Sequence, residues 1–143
     1  MTFNPSKYKI TERADYEVLD AEGNTIYLDE AQTVPWTITV ASPGTKKAAK
    51  GSFEMKQAVS GDLFGQLKGK KSSKNEDSET VLRADFLMKI TESTNADGLE
   101  YEGKTGLDAL RAIYLDPYMA HVALGVEAFH HNRGNFKADS EKN

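Results

Sequence analysis

Thr105 to Phe136 reads TGLDALRAIYLDPYMAHVALGVEAFHHNRGNF, the longest sustained helical pattern in the chain. Leu107, Leu110, Ile113 and Tyr114 fall at offsets of zero, three, six and seven, one face of a helix. Asp116-Pro117 breaks the run. A proline at a first helical position sacrifices no hydrogen bond, and an aspartate before it can cap the helix that follows. That second helix carries Met119, Val122, Val126 and Phe129 on one stripe. The segment holds no nucleophile, paired carboxylate or metal constellation, so its apolar faces must pack or dock.

Upstream, Tyr16 to Asp29 alternates and holds Asp20-Ala-Glu-Gly23-Asn24, with Gly23 where a positive φ is wanted. This predicts a β-hairpin. Thr33 to Ala41, TVPWTITVA, alternates Val34, Trp36, Ile38 and Val40 with threonines, a strand buried on one face with Trp36 as core anchor. Ser42-Pro43 then predicts a capped helix over about 45–67, in which Gly51 and Gly61 each weaken helicity by roughly 1 kcal/mol relative to alanine. A second amphipathic helix is expected over Ser78–Ser93, capped by Asp77 or Ser78 and paired with the first as a hairpin. Leu99 to Gly103 reads as a short extended piece and a turn, and Thr105 as the cap of the C-terminal helices.

These elements predict an α+β fold: a small antiparallel N-terminal sheet of two or three strands packed on a cluster of about four helices. The expected layout is a flexible arm over 1–14, a single α+β domain over 15–137 with a flexible basic loop over 68–77, and a frayed tail over 138–143. The arm is either simple terminal disorder or an extension that docks on a neighbouring subunit. The expected core is Trp36, Ile38, Val40, Phe53, Leu63, Leu82, Phe86, Ile90, Leu110, Ile113, Val122 and Val126.

The 143 residues suffice for one core, and the hydrophobic content of 38% is modest. A net charge of −4 gives no global attraction to nucleic acid. The chain has no cysteine, which removes disulfides, thiolate chemistry and cysteine-based zinc sites and fits a reducing cytoplasm. No apolar stretch follows Met1 as in a signal peptide, and no run approaches a membrane span.

Candidate chemistry is sparse. His121 and His130 are nine apart and diverge on a helix, as do the neighbours His130 and His131, so they read as surface or interface histidines. Glu100 and Glu102 flank Tyr101 and share one face of the expected strand, which reads as solvated. Lys68, Lys70, Lys71 and Lys74 form a basic run without interleaved aromatics, a solvated loop or a contact for phosphate or an acidic partner. No phosphate-loop or dinucleotide fingerprint occurs.

Several short motifs stand in a fixed order: Asp20 to Gly23, Thr37-Ile38-Thr39-Val40, Ser42-Pro43 with Lys46, Lys47, Ala48 and Ala49, then Gly103, Ala112-Ile113-Tyr114, Asp116-Pro117, Phe129 and Arg133-Gly134-Asn135-Phe136. In this order, across roughly 15–137, the chain resembles the tail assembly chaperones of long-tailed bacteriophages. It departs in having Gly44 where an acidic residue is usual, and in its basic 68–77 loop. The resemblance implies a non-enzymatic protein without cofactors or metal in the host cytoplasm. Such a protein binds the tape measure protein, keeps its long apolar helix in solution and promotes polymerisation of tail tube protein around it. It implies a homo-oligomer that engages neither membrane nor nucleic acid. Some members are also made as a longer frameshifted form.

A protein that shields an amphipathic helix needs exposed apolar side chains in a helical groove. The candidate partner-binding residues are Tyr114, Tyr118, Met119, Phe129, Arg133 and Phe136, with Val122 beside them. Phe53, Met55, Phe64, Phe86 and Met88 form a second set, where methionine offers an adaptable surface. Two other functions remain open: a structural virion subunit (tail tube, head–tail connector or tail terminator), or a small nucleic-acid-binding module using Lys68–Lys74.

Overall fold

The computed structural model describes residues 2–67 and 75–137. The element order is β1 (Arg13–Glu17), β2 (Thr37–Ala41), α1 (Lys46–Leu67), α2 (Asn75–Ile90), β3 (Thr91–Thr94), the short strands β4 (Glu100–Tyr101) and β5 (Lys104–Thr105), α3 (Gly106–Leu115) and α4 (Ala120–His131). Short 3-10 turns occupy Pro5–Tyr8, Pro117–Met119 and Arg133–Phe136. The fold is α+β, with a three-stranded antiparallel sheet ordered β1-β2-β3 and four helices among the described residues. No helix among these residues is long and apolar enough to cross a membrane.

β2 is the central strand because its alternation gives it one buried face: Ile38 and Val40 are buried, while Thr37 and Thr39 face outward. It pairs Ala14 with Val40 and Tyr16 with Ile38 on β1, and Ile38 with Thr94 on β3. The register with β3 shifts between Thr39 and Val40. The Asp20 hairpin forms as expected: the Asp20 side chain accepts from the amides of Glu22 and Asn24, both at 2.9 Å, and Gly23 adopts φ 88°.

Several sequence expectations change, among them the start of the second helix, which begins at Asn75 and so takes in Asp77 and Ser78, expected as its caps. Residues 10–14 are not part of a free arm: Ile10 bridges Lys137, the Thr11 amide donates to the Phe136 carbonyl, and β1 begins at Arg13. The first helix is capped by Thr45, whose hydroxyl accepts from the Ala48 amide at 3.2 Å, and not by Ser42, which is buried at the end of β2. The second helix stops at Ile90, and Thr91–Thr94 continues as the edge strand β3. These four residues carry no apolar side chain to mark a strand, and pairing with β2 supplies what the sequence pattern lacks.

The core joins the inner sheet face to α2, α3 and α4: Val18, Trp36, Ile38 and Val40 meet Phe86, Leu87, Ile90, Leu110, Ile113, Val122 and Val126. Phe53 is corrected out of it, because α1 turns that side chain to solvent at 60% exposure. Leu82 is half-buried. Gly51 has a packing role that offsets its weak helix propensity: a Cβ there would stand 3.3 Å from Phe86 Cδ1, so its absence lets α1 lie close on α2. The Lys89–Glu54 ion pair spans the same contact. The expected Leu63 core position, the Lys68–Lys74 run and the 138–143 tail lie outside the described residues or side chains.

Candidate docking surface

The Asp116-Pro117 step makes an elbow between α3 and α4. One carboxylate oxygen of Asp116 accepts from the Tyr118 amide at 2.9 Å, capping the Pro117 turn. The other accepts from the Tyr101 hydroxyl on β4. The Tyr101 hydrogen bond, then that from the Tyr118 amide, holds the Asp116 carboxyl below its ordinary pKa. In return the Tyr101 phenol is pushed up to about 12, first by its bond to Asp116.

Tyr101 reaches Asp116 because β4 and β5 form a tight hairpin. Glu102 (φ 51°) and Gly103 (φ 80°) both take positive φ, as a type I′ turn requires. Glu102 therefore sits in the turn, and it does not share a strand face with Glu100. Braced in this way, the elbow projects Tyr118, which is 90% exposed. Met119 beside it is half-buried against the core, and Leu124 is exposed further along α4.

The six partner-binding residues expected from the sequence do not form one surface. Tyr118 and Met119 lie at the elbow, while Arg133 is exposed beyond the far end of α4. The helix between them has 12 residues, roughly 18 Å at ~1.5 Å per residue. Phe129 is half-buried between Tyr16 (ring centroids 5.3 Å) and Phe136 (5.4 Å). Tyr114 and Phe136 are corrected: both are core residues and present nothing to a partner. Tyr114 is 2% exposed, with its hydroxyl 2.9 Å from that of Thr91, which itself donates to the Leu87 carbonyl at 2.7 Å. Burial pushes the Tyr114 phenol up to about 12. In the second set, Phe53 is exposed, Met55 and Met88 are half-buried and Phe86 is buried; the Phe64 side chain lies outside the description.

His130 is likewise a core residue and not a surface one. Its Nδ1 donates to the Ala41 carbonyl at 2.8 Å, tying α4 to the end of β2. Its ring meets Phe86 edge-on at 5.5 Å. Burial lowers its pKa below the ordinary value. Its sequence signal is the i+4 step from Val126, which places both on the buried face of α4.

A groove of about 500 Å³ opens at the Trp36 end of the sheet, and no sequence motif announces it. Trp36, Leu28, Ala96 and Leu99 supply its apolar lining, with Asp97 and Glu100 as its charged members. The walls are pinned by hydrogen bonds. The Leu28 amide donates to the Val34 carbonyl at 2.8 Å, and the Asp29 carboxylate accepts from the Thr33 and Val34 amides, each at 3.0 Å. Trp36 Nε1 donates to Thr94 Oγ1 at 2.9 Å. The Asn95 side chain spans the Thr37 amide and the Pro35 carbonyl, both at 2.8 Å. A second, polar cleft of about 860 Å³ follows β1 past Arg13, Asp15, Thr39, Asn135 and Lys137.

Among the described residues no group of three or more His, Asp or Glu side chains is placed to hold a metal ion. No protein-family model, curated protein or solved structure matches the chain.

Proposed function

We propose that this protein is a tail assembly chaperone of a long-tailed bacteriophage. It acts in the host cytoplasm by self-association and by binding the tape measure protein, so that tail tube subunits polymerise around that long helix. The observation that supports this most directly is Tyr118, held out at 90% exposure by an aspartate bonded on both carboxylate oxygens. It lies within the Ala112–Phe136 stretch that carries most of the C-terminal resemblance. The backbone beneath this ring is fixed before binding, so docking has only the side chain's two torsions to order.

The test is co-expression with fragments of the tape measure protein from the same genome. Capture of a fragment by the wild-type chain and its loss in Tyr118→Ala support the proposal. Absence of capture, or the chain present at stoichiometric level in purified mature virions, overturns it in favour of a virion subunit.

A further inference from the structure

The Trp36 groove and the N-terminal segment complement each other. The groove is apolar at its floor and carries the carboxylates of Asp97 and Glu100, with no cation among its lining residues. Asp29 and Glu30 follow the Leu28 wall in the chain. The Thr33 hydroxyl, then the Val34 amide, hold the Asp29 carboxyl below its ordinary pKa, so it stays charged. The segment before Ile10 has the opposite character. Residues 2–11 carry two lysines and no acid, and present two aromatics to solvent, Phe3 at 74% exposure and Tyr8 at 65%.

The two features lie at opposite ends of the sheet. Ile10 is fixed to Lys137 at the Arg13 end of β1, while Trp36 meets Val18 at the other end through the Val18 amide at 2.9 Å. Eight residues of extended chain separate Ile10 from Val18, about 26 Å at ~3.3 Å per residue. The segment leads away from Ile10 and contains the compact Pro5–Tyr8 turn, so it does not lie in its own groove.

We infer that the Trp36 groove receives the N-terminal segment of a second copy of this chain, Phe3 entering the apolar floor and Lys9 meeting Asp97 and Glu100. The proposed contact is head-to-tail, with the donor segment at one end of the sheet and the acceptor groove at the other, and each added copy leaves one groove and one segment open. Such an array grows along a line, the geometry suited to coating a long helix. The inference rests on the self-association in the proposed function and is independent of tape measure binding.

The test uses two full-length-fold variants, one lacking residues 2–9 and one carrying Asp97→Lys with Glu100→Lys. Both alter exposed positions, and circular dichroism checks that each is folded. Sedimentation over a concentration series should show growing oligomers for wild type and monomers for each variant alone. An equimolar mixture of the two variants should give pairs that grow no further, because one supplies only a groove and the other only a segment. Phe3→Ala in the otherwise wild-type chain should weaken association by about tenfold. A monomeric wild type, variants that assemble as wild type does, or a mixture that stays monomeric overturns the inference. Loss of tape measure capture without change in these sedimentation results would refute the chaperone role alone.

Discussion

The Tyr16 ring lies directly on Gly125, so close that a Cβ built on the glycine would stand 2.9 Å from the ring's Cζ and in collision with its hydroxyl. This contact sets how near α4 approaches β1. Phe129, one helical turn further along α4, packs against the same ring at 5.3 Å. Gly125→Ala, which improves helix propensity by ~1 kcal/mol, should nonetheless destabilise the protein by about 1–3 kcal/mol. Adding Tyr16→Phe should recover part of that loss by removing the colliding oxygen. Urea denaturation of the wild type and these two variants measures both effects.

The two tyrosines at the α3–α4 elbow should separate stability from binding. Tyr118→Ala removes an exposed ring and should leave the melting temperature nearly unchanged while abolishing tape measure capture. Tyr114→Ala empties a core site and should cost about 3–5 kcal/mol, the range for large aromatic truncations. Thermal melts and pull-downs on the same preparations would reverse the assignment if Tyr118→Ala proved the destabilising variant.

The two phenylalanines on the helical hairpin are a similar pair. Phe86→Ala should cost about 3–5 kcal/mol, because the ring lies between Gly51 and His130. Phe53→Ala should change stability by less than about 0.5 kcal/mol, as for other surface positions. Equal losses at the two sites would contradict the packing of α1 on α2.

Acid should weaken the fold through His130. Its folded pKa lies below its unfolded value because burial disfavours the imidazolium, so the unfolded chain takes up the proton first. The contribution of neutral His130 is complete above the unfolded value of 6.5 and is lost as pH falls from there through the folded pKa. His130→Gln keeps a donor for the Ala41 carbonyl and should flatten this part of the profile. Melting temperatures between pH 8 and pH 5 provide the check.

Alkali should act through Tyr101 and Tyr114, each raised from 10.0 to about 12. A raised folded pKa contributes stability that is full below the unfolded value and is lost as pH rises through the folded one. The fold should therefore weaken between about pH 10 and 12. Phenolate absorbance should show these two rings ionising well above 10.0, and Asp116→Asn should advance Tyr101 alone.

Much of the architecture was legible because local chemistry and tertiary packing agree there. Asp116-Pro117 marks the elbow, Gly23 the hairpin, and the spacing of Leu110, Ile113, Val122 and Val126 the buried faces of α3 and α4. Where they part, the sequence is silent. Thr91–Thr94 is polar and becomes a strand through its partner. Tyr114 and Phe136 look like docking aromatics until Thr91 of β3 meets the first and Phe129 of α4 the second. Phe53 shares its helix with buried Ala48 and Gly51, yet the crossing of α1 on α2 leaves it outside. The Trp36 groove joins residues about 60 positions apart and has no linear signature.

The Thr11–Phe136 hydrogen bond also constrains how the protein is made. Translation delivers β1 first, yet its flank is completed only by a segment synthesised more than a hundred residues later. Until Phe136 has emerged from the ribosome, a nascent chain holds Phe129 without the ring that packs against it. Any ribosomal pause upstream of that ring prolongs exposure of an unfinished sheet edge, when premature association with other chains is most dangerous.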